Sequence, residues 1–389
     1  MSTVKELIAS AVDRLSDDLE SLSRRIHGHP ELGYQEVKAA GWLTEFLEGQ
    51  GFKVERGVGG VETAFRATIE SGDGPTIAIL CEYDALPAIG HACGHNVIGT
   101  AGAGAGAALA AVREKLPRGR VHVIGTPAEE GGGGKLRLIR GGVFEGVDAA
   151  MMIHGWDRWV PHQDLLGIVR RGFEFTGKAA HAAADPWEGV NALDAVIQTF
   201  NNVSMLRQQV RPDSRIHGIV TSGGAAPNII PEFAAATFYV RSPTLDYLAE
   251  LEQRVIACAE GAARATGCAL TVTDSDTTYQ PMKRNQTLVD AFRANMQRLG
   301  VRESPEVKDR LGSSDVGNVS QVLPTIQPYV RIAPDGTPWH SRAFAEAAVG
   351  PLAREGLLAA AKVMAMTTLD LLAEPDLVER AQREFRAAR

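Results

Sequence analysis

The chain has 389 residues, too long for one ordinary domain and suited to two, each able to bury its own core. Hydrophobic residues make up 44% and charged residues 22%, the balance of a folded globular protein and not of a disordered one. A net charge of -7 leaves no basic footprint for nucleic acid, and no apolar run approaches the length that crosses a bilayer, so neither partner is expected.

At the start, Leu7, Ile8, Val12, Leu15, Leu19, Leu22 and Ile26 recur at steps of three and four with Asp, Glu and Ser between them. This predicts an amphipathic helix and not the unbroken apolar stretch of a signal peptide. A cytoplasmic location is the expectation. Cys81, Cys93, Cys258 and Cys268 suit a reducing compartment, where a thiol serves as ligand or core.

Short apolar runs at 76–80, 121–124 and 149–153 predict buried strands, separated by helices such as one over 97–116. The alternation predicts an α/β sheet with helices on both faces, whose chemistry collects in loops beyond the strand ends. From 168 to 278 the order changes to strand (169–177), helix (189–208), strands (216–222 and 235–241), helix (248–266) and strand (269–274). That is the split βαβ, ferredoxin-like arrangement of a compact module. A helix over 288–299, a strand over 325–332 and a helical tail from Phe344 return to the first domain. The expected division is therefore residues 1–167 and 279–389 around an insertion at 168–278. The glycine–alanine stretch at 99–106 lacks the ending of a phosphate loop and instead lets a helix lie close on the sheet.

Four fragments carry groups that hold a divalent metal or a water beside one: His91-Ala92-Cys93-Gly94-His95, Glu129-Glu130, His154 and His340. In an extended loop Cys93 and His95 point the same way, toward one ion; in a helix His91 and His95 share a face instead. The bland alternative is a buried cysteine and two loop histidines. A thiolate or carboxylate can bridge two ions. Backbone at a strand end aims Glu129 and Glu130 differently, so one can bind metal while the other takes a proton from water and passes it to a leaving amine. An exposed charged turn is the competing reading, weakened by the apolar lead-in and by glycines 131–134, which let backbone pass near a metal site. His154 and His340 gain weight only from the first two fragments. Together they predict a metal-dependent hydrolase.

Within the insertion, His181 and Asn228 can donate hydrogen bonds to a developing oxyanion, and the Arg241 fork suits a carboxylate. A surface histidine, a turn asparagine and a strand-end salt bridge are the plain alternatives. Trp156, Trp187, Tyr279 and Ser314-Asp315 are candidate pocket walls, with core packing an equal reading for the aromatics.

Further fragments are Arg25-Ile26-His27-Gly28-His29-Pro30-Glu31-Leu32, Glu82-Tyr83-Asp84-Ala85-Leu86-Pro87, Lys178-Ala179-Ala180-His181-Ala182, Ala226-Pro227-Asn228-Ile229-Ile230-Pro231 and Gly312-Ser313-Ser314-Asp315-Val316-Gly317. With the metal-binding fragments they make the chain resemble, nearly end to end, the dinuclear metallopeptidase family of the aminoacylases and glutamate carboxypeptidases. It is most similar to the amidohydrolase branch, and within it to the aminobenzoyl-glutamate hydrolase group. The resemblance implies a central mixed sheet with helices on both faces, zinc-exopeptidase-like, plus an inserted lid and dimerisation domain. It implies two divalent ions per subunit (zinc or manganese, with cobalt as a further choice), bridged by Cys93 and completed by His95, Glu130, His154 and His340. Glu129 would be the general base, His181 would reach the partner subunit's site, and Asn228 and Arg241 would hold substrate carbonyl and carboxylate. A homodimer through the insertion, or a higher oligomer, is implied as well. Many members carry Asp where this chain has Asn96, and Asp-Met-Asp where it has Glu82-Tyr83-Asp84. Both departures suit the aminobenzoyl-glutamate group. The expected activity is hydrolysis of N-acyl amino acids like aminobenzoyl-glutamate; the alternative is a dipeptidase acting on β-alanyl or related dipeptides. A catalytically inactive binding relative would have lost a ligand or the base, and none is missing.

Overall fold

The computed structural model describes residues 1–274, 277–307 and 311–387. The chain divides into two compact units. One takes Met1–Asp164, Lys283–Leu311 and Asp315–Arg389; the other takes Leu165–Met282 with Gly312–Ser314. In chain order the strands are β1 (Lys53–Arg56), β2 (Phe65–Glu70), β3 (Thr76–Cys81), β4 (Arg120–Gly125), β5 (Ala149–Met151) and β6 (His154–Trp156). They continue as β7 (Gly167–Thr176), β8 (Arg215–Ser222), β9 (Phe233–Ser242), β10 (Ala269–Asp274), β11 (Thr325–Ile326) and β12 (Tyr329–Arg331).

The first unit is built on a six-stranded mixed sheet in the order β1-β2-β4-β3-β5-β11. β3 runs parallel to both β4 and β5, while β2 and β1 add antiparallel to the other edge of β4. All six residues of β3 are buried, as a strand covered on both faces requires. The helix His95–Ala110 lies directly on it. A Cβ on Gly99 would stand 2.7 Å from the Glu82 carbonyl oxygen, and one on Gly102 2.5 Å from Cys81 Sγ. The small-residue stretch is therefore what permits the approach, as its composition predicts.

Several elements depart from expectation. The helix placed at 97–116 is His95–Ala110, the opening helix is two (Ser2–Arg14 and Ser16–His27), and the single strand at 325–332 is the pair β11 and β12. The two residues between β11 and β12 let the chain leave the main sheet and pair with β6 in a separate ribbon. β1, β2 and β6 lie outside the strands that the sequence predicts. The helical tail is three helices, Arg342–Ala347, Pro351–Ala373 and Pro375–Ala387, and its final two residues lie outside the described ones. By length and composition Pro351–Ala373 does meet the requirement for crossing a bilayer, contrary to expectation; 78% of its apolar window is buried inside the protein. It packs along His95–Ala110, so its apolar surface is spent in the core.

The second unit runs β7, helix Ala192–Leu206, β8, β9, helix Leu245–Thr266, β10. Its antiparallel sheet has the order β10-β7-β9-β8, which leaves β8 on an edge. Both helices cover one face, packing Val196, Val203, Leu251 and Val255 against Phe173, Phe175, Phe238 and Val240. The alternation of β7 and β9 puts Arg170, Tyr239 and Arg241 on the opposite face.

Candidate metal centre

The loops that follow β3, β4 and β5 leave from the same ends of parallel neighbours, where α/β sheets gather their chemistry. They bring Cys93, His95, Glu129, Glu130 and His154 together, and His340, after β12, joins them. The donor atoms of Cys93, His95 and His154 lie within 4.8 Å of one another, and so do those of Cys93, Glu130 and His340. Cys93 is the only residue shared by these two triads. Gly94, in the left-handed region at φ 80°, turns the chain from Cys93 into the helix that His95 begins. His91 falls outside the cluster, buried 6.0 Å from the His27 ring, which favours the loop reading of this motif over the helical one.

Hydrogen bonds fix the tautomers. His154 Nδ1 donates to the Gly155 carbonyl at 2.9 Å, leaving Nε2 with a lone pair 3.4 Å from Cys93 Sγ. Burial pushes the His154 imidazole down to about 4, so it is neutral, the form that ligates. His95 Nδ1 donates to Asp84 Oδ1 at 3.1 Å, and its Nε2 stands 4.0 Å from both Glu129 Oε2 and Glu130 Oε1. This carboxylate–histidine pair is the arrangement that orients a ligating imidazole. Burial opposes a charge on His95, but Asp84 overcomes it and holds the ring well above its usual range. Burial, then Glu130, pushes the Cys93 thiol well up. A thiolate there calls for a cation beside it.

The two glutamates face different neighbours. Glu130 donates its backbone N–H to Asp84 Oδ2 and places Oε1 3.5 Å from His340 Nε2. Burial raises its pKa, but the His340 and His95 interactions outweigh that and hold it low. Glu129 faces Glu82 and Asp315 instead. Burial, then the charge of Glu130, pushes its carboxyl well above the ordinary range.

In the second unit His181 and Asn228 are neighbours: the Ala182 N–H donates to the Asn228 carbonyl at 3.0 Å. His181 Nδ1 accepts the N–H groups of Ala183 and Ala184, so the neutral ring carries its proton on Nε2. Arg241 donates to Ser313 Oγ at 3.0 Å and to His217 Nε2 at 3.3 Å. The salt bridge considered for it is absent among the described residues, and burial lowers its pKa. Trp187 is 75% exposed, whereas Tyr279 is buried and pairs with Ile168. Trp156 is stacked on Trp339 in an aromatic group that also holds Tyr329 and touches the His154 ring.

A family model described as peptidase family M20/M25/M40 matches residues 80–354. The chain belongs to this family. It is 40% identical to the mouse Xaa-Arg dipeptidase over 99% of this chain and 93% of that protein. It is 30% identical to one of the subunits of the Escherichia coli p-aminobenzoyl-glutamate hydrolase, over 99% of this chain and 95% of the other. Among solved structures, a dinuclear metal-binding M20 peptidase from Bacillus subtilis superposes with a TM-score of 0.73 at 23% identity, covering 93% of this chain and 99% of its own. The protein is thus a hydrolase of the M20 family, acting on amide bonds.

Sequence reasoning missed Lys135 altogether and gave no role to Glu82 or Asp84. Lys135 is fully buried, its ammonium 2.5 Å from Glu82 Oε1 and 2.6 Å from Asp315 Oδ1, while its backbone N–H donates to Asp315 Oδ2. Burial opposes the charge, but the Asp315 and Glu82 carboxylates outweigh it and push the lysine pKa up. Burial raises Asp315 to about 6 even so. Glu82, Glu129 and Asp315 bring their oxygens within 4.8 Å of one another, so Lys135 serves as a built-in cation at the edge of the cluster. A lysine after a run of glycines reads as solvated; the available signal was the nearby Ser313-Ser314-Asp315 fragment, whose Asp needs a partner once buried.

Proposed function

We propose that the protein is a dinuclear metal-dependent dipeptidase in which Glu129 is the general base. The observation that carries the reading is the pair of donor triads joined at Cys93, with Glu129 beside them. The donor set fits divalent ions: soft thiolate and imidazole on one side, carboxylate and imidazole on the other. His95 Nε2 and Glu130 Oε1 are buried and make no hydrogen bond, as ligand atoms facing an ion would. Cys93 would bridge, and His95, His154, Glu130 and His340 would complete the two sites, for zinc, manganese or cobalt. Ions held there would polarise the amide carbonyl and acidify the attacking water.

Glu129 accepts the proton of the water that attacks the amide carbon and delivers it to the nitrogen as the carbon–nitrogen bond breaks. Its raised affinity for a proton suits a group that must both take and give one. His181, protonated on Nε2, is a donor of the kind an oxyanion needs, and Asn228 can bind a carbonyl. Arg241, held by the neutral groups of Ser313 and His217, suits the substrate carboxylate. Exposed Ile219 and Val220 on the edge strand β8, with exposed Ile197 and Met205 on the helix Ala192–Leu206, support a homodimer through the second unit.

The 40% identity to a dipeptidase named for Xaa-Arg favours dipeptides with a basic C-terminal residue. The aminobenzoyl-glutamate relative supports a second reading, an N-acyl amino acid hydrolase, in which both carboxylates of glutamate would need partners. Incubating manganese- or zinc-reconstituted protein with Xaa-Arg, Xaa-Lys and β-alanyl dipeptides, aminobenzoyl-glutamate and N-acetyl amino acids, with mass-spectrometric identification of released amines, decides between them. Turnover of the basic dipeptides, lost in metal-loaded E129Q, is the expected result. Turnover of acyl amino acids alone moves the protein to the second reading, and full activity in E129Q refutes the base.

A further inference from the structure

The loop carrying Glu129 and Glu130 holds a backbone conformation that its own sequence does not favour. Ala128, immediately before Glu129, sits at φ 59°, in the left-handed region where a Cβ is strained. Strain of this kind persists only where surrounding structure imposes it, and it collects at functional sites. Against it lies a short segment from earlier in the chain, residues 33–36, in which Tyr34 is itself at φ 65°.

The segment grips the loop at three points. Glu36, fully buried, accepts the Ala128 N–H on Oε1 at 2.8 Å and the Thr63 hydroxyl on Oε2 at 2.9 Å. Tyr34 donates its hydroxyl to the Gly132 carbonyl at 2.6 Å, on the far side of the two glutamates. Between these anchors the Ala128 methyl fills the space left by two glycines: a Cβ on Gly33 would lie 3.0 Å from it, and one on Gly132 2.7 Å. Thr63 is fixed in turn by Tyr83, whose hydroxyl donates to the Thr63 carbonyl at 2.7 Å. Arg137, from the helix that follows the loop, stacks its guanidinium 4.3 Å over the Tyr34 ring.

We propose that Tyr34 and Glu36 are positioning residues for the Glu129–Glu130 loop, bracing a strained turn so that Glu130 faces His340 while Glu129 faces the Glu82 side. Neither touches a donor atom of the two triads; both act through the backbone at Ala128 and Gly132. Burial, then the Asp84 charge, raises Glu36 to about 7. The inference rests on Glu129 being the base.

The test uses metal-loaded full-length protein and the variants Y34F, E36Q, E129Q and A128G, with Y34F also made in the A128G background. Y34F and E36Q should keep metal content and KM within about twofold while kcat falls on the order of 10- to 100-fold, the cost of a misaimed catalytic group. Backbone amide exchange of peptides covering 128–132 should speed up in both. A glycine at 128 relaxes the strain, so the Y34F penalty should shrink in the A128G background, a coupling that general destabilisation would not produce. Unchanged kcat and exchange in Y34F and E36Q, with E129Q inactive, would refute the brace while leaving the base standing. A penalty undiminished in the A128G background would refute it too. If E129Q keeps its turnover, the base reading falls and takes this inference with it.

Discussion

Lys135 shows how much of the site is settled by a single buried charge. Its ammonium lies between Glu82 and Asp315, all three side chains shielded from water. A buried ion pair of this sort is a poor source of net stability, but removing one partner leaves the others uncompensated. K135M should therefore destabilise the metal-free protein by roughly 3–5 kcal/mol. Urea unfolding measures it, and a loss under about 1 kcal/mol would mean the carboxylates shed their charge without the lysine. Legibility at this scale followed residue type. Cys93, His95, Glu129, Glu130, His154 and His340 were readable because their side chains are those that bind metals, and the folded chain does gather them. Glu82, Asp84, Lys135 and Asp315 act by supporting those residues, and charged residues in support roles look the same in a sequence as solvated ones. Glu82 and Asp84 were noticed only as departures from the Asp-Met-Asp wording, without a role.

Helices and strands repeat the contrast between local pattern and tertiary demand. Gly99 in the helix His95–Ala110 and Gly41 in the helix Val37–Gly49 are both helical glycines. A Cβ at Gly99 meets the Glu82 carbonyl oxygen at 2.7 Å, whereas one at Gly41 meets nothing within 4 Å. G41A should stabilise by about 0.5–1 kcal/mol through reduced backbone entropy. G99A should instead cost about 1–3 kcal/mol, since the helix must lift off β3. Thermal or urea denaturation of the two variants compares them directly; equal effects would show that the helix does not rest on β3 as closely as described. The same contrast explains which strands were readable. β3 and β5 are apolar runs inside the sheet, and β4 departs from one only at Arg120 and His122. β1 has an exposed, charged sequence, and β2 alternates buried with part-exposed residues, so neither stands out without its partner. In the tail, Pro351–Ala373 is apolar on most of its surface because it is a core helix.

At the scale of the whole molecule, sequence order is scattered and spatial order is not. The two donor triads draw on residues from 93 to 340, contributed by the loops after β3, β4, β5 and β12, all of them within the first unit. The second unit, Leu165–Met282 with Gly312–Ser314, has its own antiparallel sheet and its own core. Its limits differ by a few residues from those expected, and the short return at Gly312–Ser314 had no local signature: a segment of three residues shows no periodicity. Ser313 nonetheless accepts a hydrogen bond from Arg241. The bridging role that the resemblance implies for Cys93 has its spatial counterpart in the sharing of Cys93 between two triads, which depends on where four separate loops end. A dinuclear centre stands or falls on that sharing. The direct measurement is the metal stoichiometry of wild type and C93S after chelation and reconstitution, by elemental analysis of the gel-filtered protein. Two divalent ions per chain are expected in the wild type and at most one in C93S, because the substitution removes the only ligand common to both triads. One ion in the wild type, or two retained in C93S, would contradict it.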